Sequence, residues 1–354
     1  MTQSDPFAAE ILERSAGGFA TAAALRLLED HPGIEARYAP GAVDSWKSHL
    51  TQRILELSAS LAAGSSDMFV NRVVWSRKTF QARELQPRDL ESSLDALHAV
   101  LAEKLPPNAR VTALKFVSDA RRAVSGQPDP EDSMLDAGQP HDRLALRYLQ
   151  CAVEGNVLPA MEVVLDALED DVTVADAILR VLLPAQVEVG RLWHLDQLSI
   201  AEEHLVTTTT QRLMAVLASR GVRRRDNGKT AVAAAVAGNV HDVGIRAISY
   251  LFELDGWRTI FLGTDVPRGD LPAAVQFFEA DVILLSCALS VQLKSVRETI
   301  EAIRKRAERD VKIMVGGLAF FESPDLWKDI GADGYAPNAT QALVVANRFF
   351  ETTQ

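Results

Sequence analysis

The residues best suited to chemistry sit together in Gly238-Asn239-Val240-His241-Asp242-Val243-Gly244. A neutral imidazole ligates metal well through one ring nitrogen once the other is held. Asn239, two positions before His241, can accept the imidazole Nδ1 proton and leave Nε2 for a metal. Gly244, three positions after, removes a side chain where a flat macrocycle would have to approach the backbone. Ser286 and the pair Gly316-Gly317 end two later apolar runs with little bulk, which leaves a slot beside the loop. The two cysteines, Cys151 and Cys287, have no metal-ligand spacing; they exclude a disulfide framework and fit a reducing compartment.

The elements that must position this loop follow from hydropathy patterning. After residue 229, apolar strand-length runs alternate with amphipathic helices. Strands are expected over Thr230–Ala237, Thr259–Gly263, Val282–Ala288, Lys312–Val315 and near Gly334-Tyr335. The intervening helices are Val243–Leu254, Leu271–Phe278, Leu293–Glu308, Pro324–Ile330 and Thr340–Phe350. Five strands in this alternation predict a flavodoxin-like α/β doubly wound parallel sheet over 229–354, whose ligands sit beyond the strand C-termini. Ahead of it, 143–221 carries four helical segments, Leu144–Gly155, Leu158–Glu169, Thr173–Leu192 and Ser199–Ala218, which suggests a four-helix bundle. Residues 125–142, rich in Pro, Gly and Asp, read as a linker. Residues 1–124 read as an all-α bundle built from Ala20–Glu29, Ser45–Ala63, Asp67–Glu84, Leu90–Leu105 and Asn108–Val124.

The loop residues resemble the cobalamin-binding domain family, whose pattern is Asp-x-His-x-x-Gly, then Ser-x-Leu, then Gly-Gly. Leu262-Gly263-Thr264-Asp265-Val266-Pro267 also looks like that family's loop after the second strand. The resemblance implies that His241 is the lower cobalt ligand, with the benzimidazole tail threaded into the sheet. It makes Asn239, Asp242, Val243, Gly244, Gly263, Ser286, Leu289, Ser290, Gly316 and Gly317 cofactor contacts. Two departures stand out: Asn239 replaces the usual Asp, and Ala288 replaces the expected Leu, with Leu289 next to it.

A helical block ahead of such a domain usually caps the upper corrin face. Here it holds Trp193, His194 and the pair Glu203-His204, with nine residues between Trp193 and Glu203. This pattern resembles the light-sensing cobalamin repressors of the CarH type. It implies an adenosylcobalamin photoreceptor, Glu203 accepting from ribose hydroxyls, and His194 as upper cobalt ligand after photolysis. A light-dependent homo-oligomer acting on an unknown downstream protein would follow, and the chain would not be an enzyme. The alternative is a corrinoid carrier protein of a methyltransferase system; a mutase would need a catalytic barrel that this sequence does not contain.

The helical first 124 residues add a second expectation. Arg72, Trp75, Arg77 and Lys78 interleave cations and aromatics on one helix, which suits a chromophore bearing propionates. The overall arrangement resembles the photocobilins, which pair cobalamin with biliverdin, so signal transduction with a non-covalent biliverdin is expected. His49 and His98 could serve haem instead. The 37 Lys+Arg against 48 Asp+Glu of this 354-residue chain give a net charge of −11. That field opposes direct nucleic-acid binding, and Arg223-Arg224-Arg225 reads as a solvated run. With no signal-like N-terminus and no bilayer-length apolar run, a soluble cytoplasmic protein without membrane contact is expected.

Overall fold

A computed structural model describes residues 4–82, 85–125, 132–170 and 172–351. Residues 126–131 of the expected linker and 83–84 at the end of the expected Asp67–Glu84 helix lie outside them. The chain divides into two compact units, residues 1–130 and 131–354.

The first unit is all-helical: α1 (Pro6–Asp30), α2 (Pro32–Arg37), α3 (Ala42–Ala63), α4 (Ser66–Ala82), α5 (Pro87–Lys104) and α6 (Pro107–Val124). Helix α1 starts well before the expected Ala20. Pro6 stands in its first turn, and the Asp5 side chain accepts the Ala8 N–H at 3.0 Å. Gly17 and Gly18 face solvent, so the buried stripe Leu12, Ala16, Phe19, Ala23 and Leu27 runs past them unbroken. One face of α3 buries polar groups. Arg53 and Glu56 are 4% and 6% exposed and form an ion pair at 2.7 Å, close but not aligned as a hydrogen bond. Trp46 Nε1, His49 Nε2, and Nε and Nη1 of Arg53 are buried without hydrogen-bond partners. Each such group costs about 1–3 kcal/mol.

In the second unit, helices come first: α7 (Pro140–Val153), α8 (Val157–Asp166), the single turn α9 (Val174–Asp176), α10 (Leu183–His194) and α11 (Ile200–Arg220). A π-helical stretch, Ala177–Leu182, joins α9 to α10 where one regular helix was expected. Pro184 has no N–H to give and its ring crowds the preceding turn, so the hydrogen-bond register widens just ahead of it. A capping box between Ser199 and Glu202 starts α11.

The sheet follows: β1 (Thr230–Val236), β2 (Arg258–Val266), β3 (Val282–Ser286), β4 (Lys312–Gly316) and β5 (Gly334–Ala336). Between and after the strands come α12 (Val243–Leu254), α13 (Leu271–Phe277), α14 (Leu293–Arg306), α15 (Leu326–Asp329) and α16 (Ala339–Arg348). The strands lie in the order β2-β1-β3-β4-β5, all parallel. Strand β1 is buried at every residue, as helices on both faces require. Because β2 and β3 flank it on opposite sides, the crevice where the connections diverge opens at the C-terminal ends of β1 and β3. Helix α12 ties the sheet to the preceding helices: Val243, Ala247 and Tyr250 lie in the same apolar core as Tyr148, Val206 and Leu213. Among the described residues no helix is long and apolar enough to cross a membrane.

Burial, and then the neighbouring Arg53 charge, lower the His49 pKa from 6.5 to about 3. The folded chain therefore keeps this imidazole neutral while the unfolded chain protonates it below 6.5, so stability falls as pH drops from 6.5 towards 3. Chemical denaturation across this window should show the native chain losing up to about 1.4 kcal/mol per pH unit relative to a His49→Phe variant. Parallel curves for the two proteins would contradict the assignment.

Candidate functional site

Asn239 is fully buried just past β1, and its side chain makes contacts in two directions. Its Nδ2 donates to the Ser286 carbonyl at the end of β3, at 3.0 Å. Its Oδ1 accepts the His241 backbone N–H at 3.1 Å and lies 3.3 Å from His241 Nδ1. The amide thus bridges the two strand ends at the crevice and holds the imidazole by one nitrogen. His241 itself is exposed, next to a 70% exposed Val240. No Cβ contact would meet a side chain added at Gly238 or Gly244, so the backbone on both sides of His241 borders open space.

The loop is pinned from four directions. Asp265, at φ +51°, accepts the Gly238 N–H at 2.7 Å through its carboxylate and donates its own N–H to the Asn239 carbonyl at 3.0 Å. Buried Gln292 donates to the Gly238 carbonyl at 2.7 Å while its Oε1 accepts the backbone N–H groups of Ala288 and Leu289 at 3.2 and 3.0 Å. Asp242, 3% exposed, receives Gln211 Nε2 of α11 at 2.7 Å and pairs with Arg246 of α12 at 2.5 Å. Burial opposes the Arg246 charge, but the Asp242 hydrogen bond and charge outweigh it, and the guanidinium pKa is raised. The Arg246 guanidinium also lies 4.7 Å over the Phe261 ring. Gln211 and Gln292 carry no sequence signal, because each acts across a contact distant in the chain.

Other expected site residues are placed differently. Ser290 is buried and Leu289 half-buried in the turn after β3. Gly263 lies in β2 opposite an irregular register with Ala234, at φ +90°. Gly316 and Gly317 do not border open space. A Cβ on Gly316 would meet the Ala336 carbonyl oxygen at 2.9 Å, and one on Gly317, at φ +104°, would meet that of Cys287 at 2.2 Å. Their small size is used for backbone-to-backbone packing. Burial pushes the Cys287 thiol well above its usual range, so it stays protonated.

The expected residues of the helical block are placed as follows. His194 is buried at the end of α10 and Trp193 packs partly buried against the block's own core. Glu203 pairs with His204 and accepts Thr207 Oγ1 at 2.7 Å. That hydroxyl also lies 3.0 Å from Gln186 Oε1, and Gln186 Nε2 donates to Thr210 at 2.8 Å. Thr210 in turn meets the buried Tyr148 hydroxyl at 2.7 Å. Glu203 is thus one end of a polar chain inside the block. In the first unit, Arg77 pairs with Glu91 of α5 at 3.0 Å, so the stripe Arg72, Trp75, Arg77, Lys78 contributes a tie between helices.

Residues 229–344 match the family model described as B12 binding domain, and residues 144–218 match a second model of the same description. The chain is 27% identical over 205 residues to a corrinoid protein of Desulfitobacterium hafniense (strain Y51), covering 56% of this chain and 94% of that relative. It is 35% identical over 113 residues to dimethylamine corrinoid protein 3 of Methanosarcina acetivorans, which covers 31% of this chain and about half, 52%, of the relative. The monomethylamine corrinoid protein of Methanosarcina barkeri superposes with a TM-score of 0.52 at 20% identity, over 59% of this chain and 100% of that one, and shows the shared fold.

These matches assign a corrinoid-binding region to the helical block and the sheet. They overturn the CarH-type and photocobilin resemblance: the relatives are corrinoid proteins, those of Methanosarcina being dimethylamine corrinoid proteins. The photoreceptor, photocobilin, biliverdin and signalling readings are corrected accordingly. The Trp193-to-Glu203 spacing misled because linear spacing on two helices does not fix what either side chain faces. His194 is buried, and Glu203 is engaged within its own helix block.

The Gln211–Asp242 hydrogen bond makes the seat of α11 and the shape of the His241 loop interdependent. In urea denaturation, Gln211→Ala should cost about 1 kcal/mol, and Asp242→Ala roughly 3 kcal/mol because it strands Arg246. The double variant should fall short of the sum of the two. Strict additivity would show that the contact carries no coupling.

Proposed function

We propose that this chain is a corrinoid carrier protein of a methyltransferase system, with His241 as the protein ligand to cobalt. The observation that carries the reading is the Asn239 bridge, which holds His241 by Nδ1 while the ring stands exposed beside open space at Gly238 and Gly244. Among the described residues, no group of three or more His, Cys, Asp or Glu side chains could hold a bare metal ion. A lone imidazole suits a metal that arrives with its equatorial positions already filled, as in a corrin. The residues present therefore fit the group.

A bound corrinoid supplies a cobalt centre that accepts and releases a methyl group. The chain's own work is to hold and orient it. His241 would hold the cobalt through Nε2, and Asn239 would fix the imidazole tautomer with a neutral amide where a carboxylate would make the ring more electron-rich. The buried strand ends and Gln292 hold the loop in one conformation. The helical block, seated on α12 and on Asp242, would shield the bound group from water. Partnership with a methyltransferase is supported by the names of the dimethylamine and monomethylamine corrinoid proteins to which the chain is similar.

The test is methyl uptake. The cobalamin-loaded, reduced chain, incubated with a corrinoid-dependent methyltransferase and its methylated amine, should gain the methyl group as the amine loses it, followed by absorption spectroscopy. A His241→Ala chain should bind cobalamin at least tenfold more weakly, from loss of one ligand bond. Normal cobalamin binding with no methyl uptake from any methylated amine would overturn the carrier role.

A further inference from the structure

Gly238, which opens the ligand loop, has no side chain to steady it. It sits at φ +82°, and a Cβ built there would meet nothing within 4 Å, so packing does not restrict it. The turn closes around it through the Asn239 N–H and the Val236 carbonyl at 2.9 Å. Its own N–H goes to the Asp265 carboxylate and its carbonyl to Gln292 Nε2, each at 2.7 Å. Asp265 is exposed on the edge strand β2, whereas Gln292 is 7% exposed and reaches in from the turn after β3.

The direction of the Gln292 amide is forced. Ala288 and Leu289 present N–H groups, at 3.2 and 3.0 Å, that need an oxygen, and the Gly238 carbonyl needs a donor. Leu289 returns the tie by accepting the Gln292 backbone N–H at 2.9 Å. The Asn239 amide is forced in the same way and crosses in the opposite sense, from the ligand loop to the Ser286 carbonyl. Asn239 ends on β3 itself, where the ladder fixes Ser286 against Ala235 and Gly316. Gln292 ends on Ala288 and Leu289, beyond the last ladder pair. That turn is tied in its own right to the loop after β4, because the Cys287 carbonyl accepts the Ala319 N–H at 3.3 Å.

We propose that Gln292 is a positioning residue for the cobalt ligand: by fixing the Gly238 carbonyl, it makes the aim of His241 depend on the turn after β3. The inference rests on the carrier reading, in which His241 holds cobalt. With the amide in place, the Gly238 peptide is held at both ends, Asn239 stays across the crevice and the imidazole keeps one direction. Without the donor, that peptide can rotate, and the ligand-ready conformation becomes one among several, which lowers affinity without touching the ligand itself.

A double-variant cycle on hydroxocobalamin affinity, measured by absorption titration of the full chain, tests this. Gln292→Glu keeps an oxygen for Ala288 and Leu289 and removes the donor to Gly238. It should weaken binding about tenfold in the native background and no further in His241→Ala. Gln292→Met, which removes both halves of the amide without adding charge, should behave likewise, and urea denaturation shows that each variant is folded. A merely structural role would lower stability and leave affinity unchanged, or leave the two effects on affinity additive; either result overturns the proposal alone. Native affinity in His241→Ala would overturn the carrier-site reading, and this proposal with it.

Discussion

The corrin-binding half of this molecule depends on one buried amide. Asn239 has no contact with solvent, and its two ends meet two different obligations: the carbonyl of Ser286 on one side and the backbone and imidazole of His241 on the other. Remove either and the exposed imidazole loses its fixed orientation. Everything nearby serves that bridge. Gln292 and Asp265 secure the backbone at Gly238 and at the Asn239 carbonyl, and Asp242, three residues after Asn239, is tied to α11 and α12. A neutral amide polarises the ring less than a carboxylate, so rigidity here does more of the positioning than charge does.

The helical block and the sheet are joined at the same place. Gln211 reaches from α11 to Asp242, one residue from His241, while Val243 and Tyr250 of α12 pack into the block's core. The seat is a hydrogen bond backed by a short apolar stripe on one side of α12. The polar chain from Tyr148 through Thr210, Gln186 and Thr207 to Glu203 keeps the block internally ordered, and burial pushes the Tyr148 hydroxyl pKa up to about 12.

Much of this was legible in the sequence, for physical reasons. A buried parallel strand such as Thr230–Val236 has to be apolar throughout, and the alternation with amphipathic helices leaves few topologies. The loop at His241 declared itself because Asn239 and Gly244 act on it locally. Side chains acting over long separations did not: Gln292 reaches Gly238 across 54 residues and Gln211 reaches Asp242 across 31. Helix α1 extends back past Ala20 to Pro6 because Gly17-Gly18 lie on a solvent face, where their cost does not interrupt the core stripe. The interleaved cations of α4 looked like a ligand surface because sequence cannot show that Arg77 already has Glu91.

Electron paramagnetic resonance of the chain loaded with cobalamin and reduced to the paramagnetic divalent cobalt state tests the central claim most directly. Replacing the histidine nitrogens with the heavier isotope should change the axial superhyperfine splitting, and the change should vanish in His241→Ala. A splitting that ignores histidine labelling and persists in His241→Ala would mean that cobalt keeps its own benzimidazole. The account of this site would then be wrong.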